Sequence, residues 1–314
     1  MLAFLARRLA VTILAALAIS VVVFAVLKAL PGDPAQIILG TEAKPENLRA
    51  LREKLGLDRP FHLQYWAWLK KALQGDFGDS IAYQKPVTAL ILSRLPVTVP
   101  LIGLALLLAC LIALPLGIYG ATHFGGPGDL VATILSQLGL AIPAFWLGII
   151  LILVFGVRLN WLPAGGFTEW SQDPAKAFLS LLLPAITLGL IRGAALTRMT
   201  RSSVLDVLNQ DYVATARSKG LTERRIVAKH VLKNSLISVL TLLGLQVAQL
   251  LAGAIVIENV FRLPGLGRLL LSAVENRDLQ LVQGLVIFLS VGVVTINLFV
   301  DMAYGYLDPR IRLQ

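Results

Sequence analysis

Reactive side chains are scarce along this 314-residue chain. It has one cysteine, Cys110, inside an apolar run, so no internal disulfide can form and no cysteine-based metal site can be built. Its three histidines, His62, His123 and His230, all lie outside the long apolar runs, and no base, nucleophile and orienting group can be assembled around them. No Gly-Lys pair occurs, which excludes a G-x-x-x-x-G-K-S/T phosphate loop. Charged residues make up 15% of the chain, against about 25% in soluble domains. These absences predict a protein that is not an enzyme, binds no cofactor or metal of its own and draws any chemical energy from another chain.

Long apolar runs take the place of that chemistry, and 57% of the residues are hydrophobic. A membrane-crossing helix needs about 20 predominantly apolar residues. Uncharged stretches run Leu9–Leu27, Leu95–Thr122, Leu130–Val157, Asn234–Ile257 and Leu279–Val300, and a sixth, Ala177–Thr197, is broken only by Arg192. The sequence therefore predicts an all-α integral membrane protein with six transmembrane helices. The opening MLAFLARRLA imitates a signal peptide, but the 19-residue uncharged run after it exceeds the usual h-region of about 7–15 residues, so it reads as a retained first span.

The formal charge of +10 is gathered in loops beside these spans, a pattern that sets membrane orientation and argues against a nucleic-acid partner. Arg7 and Arg8, eight Lys/Arg between spans four and five, and Arg310 and Arg312 fall on one side, while the short loops opposite hold five. Both termini are thus expected in the cytoplasm. The loop 31–94 mixes nine Lys/Arg with seven acids and is too long for the rule, which covers loops up to about 60 residues. The division is 1–30 for the N-terminal segment and first span, 31–94 for an outer loop subdomain, and 95–314 for a five-span core with a cytoplasmic loop at about 199–235.

In the outer segment, ENLRALREKLGL and QYWAWLKKAL read as helices and GDFGDS as a turn. Phe61, Tyr65, Trp66 and Trp68 form either a local core or interfacial belt, or a partner-docking surface. Pro115, Pro143 and Pro184 bend spans and free backbone carbonyls. Lys28 reads as snorkelling to the interface. Arg192, six residues and about 9 Å deeper than Arg198, either faces a cavity, pairs with an acid or snorkels inward. Gly126-Pro127-Gly128-Asp129 matches a G-x-G-D pattern of intramembrane proteases, but no second suitably placed intramembrane aspartate accompanies it.

The stretch YVATARSKGLTERRIVAKHVLKNS, Tyr212–Ser235, is basic and broken by a glycine. Asp211–Lys219 predicts a short helix stopped by Gly220 in a left-handed conformation. Thr222 is placed as the N-cap of a second helix, with Glu223 in its first turn. Arg225, Lys229 and Lys233 share one face, and Ile226, Val227, His230 and Val231 supply a less polar one. By composition the segment either lies in the headgroup layer or fits a groove on a cytoplasmic partner.

This segment resembles the EAA loop of binding-protein-dependent ABC importer permeases, with Ala214-Thr215-Ala216 at the triplet and Gly220 at the loop glycine. The resemblance extends along nearly the whole chain to the type B permease of the dipeptide, oligopeptide and nickel family, through LPGDPA, LGLDRP, QGDFGDS, ENVFRLPGLGRLL, NRDLQLVQG and NLFVDMAYGYLDPRIR. The chain departs from that pattern at Ser238, where relatives often have proline, and in the 123–129 loop, which lacks their Lys/Arg.

The resemblance implies a type I ABC importer bundle in a bacterial inner membrane, a heterodimer with a sister permease, two ATP-binding subunits carrying ATP and Mg, and an extracytoplasmic solute-binding protein. The cargo it implies is peptides or a related solute such as nickel, a metal chelate or glutathione. It implies ATPase-coupling residues Tyr212, Ala214, Ala216, Gly220, Leu221 and Ile226. Binding-protein docking is expected at Asp33, Pro34, Asp76, Asp79, Pro264 and Gly265, although Leu263–Gly267 also reads as a plain tight turn. Arg192 is the pathway candidate. The competing class is an autonomous secondary transporter or channel, whose mark would be paired acids or broken half-helices in mid-membrane.

Overall fold

The computed structural model describes residues 2–29, 35–36 and 44–307. Among the described residues it is all helical apart from one isolated bridge between Asp79 and Pro86. The helices are α1 Leu2–Ala29, α2 Pro45–Leu55, α3 Phe61–Leu73, α4 Val87–Thr122, α5 Pro127–Ala141 and α6 Ala144–Leu151, which continues as a π-helical stretch Ile152–Arg158. Then follow α7 Pro174–Leu208, α8 Asp211–Ser218, α9 Glu223–Ile226 with a π-helical stretch Val227–Val231, α10 Leu232–Val260, α11 Leu266–Glu275 and α12 Leu279–Leu307. Five of these are long and apolar enough to cross a membrane, and the α5–α6 pair makes a sixth if counted as one span.

That sixth span differs from the sequence expectation, which draws Leu130–Val157 as one helix. The chain bends by 101° between α5 and α6. Pro143 disfavours helical backbone in the residue before it, and Ile142 is extended at φ −80°, ψ 124°. Pro115 and Pro184, by contrast, sit inside unbroken helices. A fourth proline effect escaped the sequence reading: Pro100 has no N–H for the carbonyl of Pro96, one turn earlier on α4, and the Trp170 indole donates to that carbonyl instead, at 2.7 Å.

The chain divides into two compact units. The larger comprises Pro96–Arg268 with Met1–Leu5 and Ile296–Gln314. Its core joins Leu101 and Ala105 of α4, Leu181 and Leu188 of α7, Leu250 and Ile257 of α10, and Phe261. Small residues bring α4 and α7 together: a Cβ on Gly189 would lie 2.9 Å from the Leu108 Cβ and 3.1 Å from the Ala105 carbonyl oxygen. Glu258, at the end of α10, is fully buried. Its carboxylate accepts from Thr98 Oγ1 at 2.6 Å and from the N–H groups of Gly267 and Arg268 at 2.7 and 3.1 Å, satisfying donors at the start of α11.

The second unit comprises Ala6–Leu95 and Leu269–Thr295. Here Phe24 of α1 packs against Phe61, Tyr65 and Trp68 of α3, with ring centroids 5.2–5.9 Å apart. The hydroxyls of Tyr65 and Ser20 hydrogen-bond at 2.7 Å. Three of the four aromatics thus cluster on Phe24, with Tyr65 and Trp68 half-buried and Phe61 still exposed, while Trp66 remains 65% exposed. Lys28 donates to Gln64 Oε1 at 2.7 Å rather than simply reaching for the interface. Buried Asp278 accepts from Ser80 Oγ at 2.6 Å, Ala82 N at 3.0 Å and Leu281 N at 3.1 Å, so it joins the GDFGDS turn to the start of α12.

Glu258→Ala leaves three donors without this acceptor, and each buried donor left unmade costs about 1–3 kcal/mol. The detergent-solubilised protein should show a markedly lower thermal unfolding midpoint, followed by size-exclusion, with Trp170→Phe costing less because it removes a single bond. An unchanged midpoint for Glu258→Ala would contradict the capping role.

Candidate functional site

The Tyr212–Ser235 stretch forms a helix, a turn and a second helix. Helix α8 ends in a Schellman motif, in which Gly220 N donates to the Arg217 carbonyl at 2.9 Å and Leu221 N to the Ala216 carbonyl at 3.4 Å. Gly220 takes φ +77°, as its place in that motif requires. Leu221 then packs on the same small core as Ala216, the apolar contact that accompanies this stop. That core gathers Val213 and Ala216 of α8, Ile226 of α9 and Val231 around Val204 of α7 and Ala121 of α4. Full burial of a side chain such as Ile226 contributes about 1.5–3 kcal/mol.

Two local expectations change. Thr222 occupies the cap position with extended backbone, but its side chain makes no capping bond. Glu223 instead pairs with Arg217 across the turn, Nε to Oε1 at 2.7 Å, and this pair raises the Arg217 pKa. The second helix is also no separate element: α9 runs through the Val227–Val231 π stretch directly into α10. The extra residue in that turn keeps Ile226 and Val231, five apart, on one buried face and moves Lys229 out of strict four-residue register with Arg225. Val227 and His230 are only half-buried.

The burial pattern divides the predicted coupling residues. Ala216, at 6% exposure, and Ile226 lie inside the chain's own core, and Leu221 is half-buried against it. Tyr212, Ala214 and Gly220 are exposed, together with Thr215 and Ser218 on the outer face of α8. The Tyr212 hydroxyl accepts from Asn234 Nδ2 at 2.7 Å, which ties α8 to the start of α10. Ser203 Oγ donates to the Ser235 carbonyl at 3.0 Å, tying α7 to the same place.

Of the predicted docking residues, Asp33 and Pro34 lie outside the described residues. In the smaller unit, Asp76 and Asp79 are exposed, and Asp76 Oδ1 accepts from Gly78 N at 2.8 Å. In the larger unit, Pro264 is half-buried and Gly265 is buried, where a Cβ would collide with the Glu258 carboxylate. The glycine at 265 is therefore demanded by close approach, and it offers no surface for a partner.

The charges near or within spans are engaged in different ways. Asp129 of the G-x-G-D pattern is held by Arg201, with Nη2 to Oδ2 at 2.9 Å, and by Gly125 N at 3.0 Å, so it is an ion-pair partner rather than a catalytic acid. The Arg201 guanidinium also lies 5.5 Å from the Phe124 ring centre. Arg192, midway along α7, donates through Nη1 to Gln249 Oε1 at 2.6 Å and through Nη2 to the Gln249 carbonyl at 2.9 Å. An arginine at a span centre costs about 2.5–3.5 kcal/mol on insertion scales, and here a neutral residue of α10 meets it. Among the described residues its hydrogen-bond partner is this amide and carbonyl rather than an acid. Sequence reading missed Glu258, Thr98, Asp278, Gln249 and Trp170. Glu258 and Asp278 stood in motif stretches, but nothing local signalled the contacts they make.

Because a Cβ at Gly220 would meet nothing within 4 Å, Gly220→Val should lose only the left-handed strain of about 1–2 kcal/mol within the chain. Gly220→Asn should be tolerated, and Thr222→Ala should stay within about 0.5 kcal/mol rather than the ~1 of a working cap. Thermal midpoints of the three variants check this, and a cost for Thr222→Ala equal to that of Gly220→Val would refute the assignment.

Comparison with known proteins places these features. Residues 113–313 match the family described as binding-protein-dependent transport system inner membrane component, and residues 1–102 match its N-terminal companion. A putative peptide transport system permease protein of Brucella abortus is 40% identical over 312 residues, covering 99% of both chains. The glutathione transport system permease protein GsiC of Salmonella typhi is 41% identical with the same coverage. In fold, the chain is similar to a structure of the MetNI methionine ABC transporter in an inward-facing conformation, with a TM-score of 0.58 and 17% identity over 70% of this chain and 96% of that one. The chain therefore belongs to the binding-protein-dependent transport system inner membrane components, as a multi-pass permease subunit of an ABC importer.

Proposed function

We propose that this permease imports peptides or a related small solute such as glutathione, using ATP hydrolysed by two partner ATPase subunits. The cargo class rests on the relatives, described as peptide and glutathione permeases over 99% of their length. A sister permease completes the path, and an extracytoplasmic binding protein delivers the solute. ATP and Mg are held by the partner subunits, and both termini lie in the cytoplasm, in keeping with the basic loops.

The observation that carries this reading is the two-sided build of α8. Its inner face, Val213 and Ala216, is packed on α4, α7 and α9, while its outer face, with Ala214, Thr215 and Ser218, is exposed and small. Such a ridge is shaped to enter a groove on a partner. Coupling requires that the partner's two states bias the permease differently. The unbroken helix from α9 into α10, tied to α8 through Tyr212 and Asn234, offers a stiff route from the ridge into a span. Ala214 and Gly220 are thus contact residues, Tyr212 is also a tie to α10, and Ala216, Leu221 and Ile226 shape the ridge from within. Asp76 and Asp79 are offered to the binding protein; Pro264 contributes only its exposed part.

Reconstitution with the sister permease, ATPases and binding protein tests this. Ala214→Trp should leave the isolated chain folded yet abolish stimulation of ATP hydrolysis by loaded binding protein. Lys229→Ala and Lys233→Ala should change little, as single surface charges usually do. The isolated chain in liposomes should show no uptake; uptake without ATPases would favour an autonomous transporter.

A further inference from the structure

We propose that Arg192, held by Gln249, is a carboxylate-recognition site for the solute on its way through the membrane; the proposal rests on the importer reading above. Arg192 lies within the apolar run Ala177–Thr197, and among the described residues no carboxylate pairs with it. The acid of α10, Glu258, is committed to Thr98 and the start of α11. Gln249 is neutral, so the positive charge remains uncompensated. In the single chain Gln249 is exposed and Arg192 is half-buried beside it. A cation on such a face is turned to water or protein rather than to hydrocarbon.

The hydrogen bonding points to an anion of a particular shape. A guanidinium has five N–H donors, and Gln249 takes one from each terminal nitrogen, leaving three, Nε–H among them. The two bonds to one residue, side chain and main chain, hold the guanidinium plane in place. That presents a preset fork to an incoming carboxylate, which matches it with two parallel bonds. Gln249 Oε1 also gives the guanidinium an acceptor whenever no carboxylate is present, so a departing solute does not leave it bare. Every peptide with a free C-terminus carries such a carboxylate.

The test uses the complete transporter in proteoliposomes, with glutathione, trialanine and trialanine amide as probes. In Arg192→Gln, the preference for trialanine over its amide should fall about tenfold, the scale of a lost charge-assisted pair, while hydrolysis stimulated by binding protein and assembly with the sister chain persist. Arg192→Lys, which keeps the charge but not the fork, should fall between. An unchanged preference, or equal loss for acid and amide, would overturn the proposal. Loss of assembly would also overturn it, assigning Arg192 to a carboxylate of the sister chain. A second arm needs no transported cargo. In a Cys110→Ala background, the thiol of Arg192→Cys should react with a water-soluble anionic methanethiosulfonate in the assembled complex, and absence of labelling rejects a place on the path. If wild type carries none of the probes but the thiol labels, the cargo class fails and the site stands.

Discussion

A chain inside a bilayer has no water to satisfy its backbone, so every N–H and C=O must find a partner within protein. This constraint explains both the long helices and the devices found wherever a helix starts, bends or stops. Pro100 strands the Pro96 carbonyl, and an indole from Trp170 meets it. Two buried carboxylates, Glu258 and Asp278, collect the donors at the starts of α11 and α12. Each draws in a hydroxyl, from Thr98 and Ser80, 160 and 198 residues away in sequence. The motifs that identify the family are in good part these satisfying contacts.

The α8 ridge obeys different physics, that of a small core. Its inner side chains are too few to stand alone and are stable because α4 and α7 complete the cluster. The Schellman stop at Gly220 reverses the chain within two residues, and the Arg217–Glu223 pair brackets that reversal. Exposed pairs of this sort contribute about 0–1 kcal/mol, so the apolar contact of Leu221 and Ala216 carries more of the local stability. The π turn at Val227–Val231 lets the ridge share one continuous buried face with α10, through Ile226, Val231 and Ser235. Ridge and span are therefore mechanically one piece, as the proposed coupling requires.

Few charges are found within the spans, and their treatment distinguishes them. Asp129 and Arg201 neutralise each other, and Glu258 is surrounded by donors. Arg192 alone among these three sites is met only by a neutral amide and carbonyl. A membrane protein retains such a group at a cost, and the difference in partners is the physical reason to separate Arg192 from the structural charges.

The sequence by itself determined what depends on local pattern. Runs of about 20 apolar residues can only be helices in a membrane, and a basic segment with glycine after a short alanine-containing helix can only turn there. Helix type, five of six spans, the left-handed Gly220 and the outer-segment helices Pro45–Leu55 and Phe61–Leu73 were legible for that reason. Tertiary structure decided what depends on distant partners. Whether Pro143 bends a span or breaks it by 101°, whether Ala216 and Ile226 face a partner or the chain's own core, and whether Thr222 caps its helix are settled by packing. Gly265 reads as a turn residue until Glu258 is seen against it, and Arg192 as a stray charge until Gln249 comes 57 residues around to hold it. Periodicity records which face of a helix is apolar, whereas the neighbour that meets each face is fixed only when the whole chain has packed.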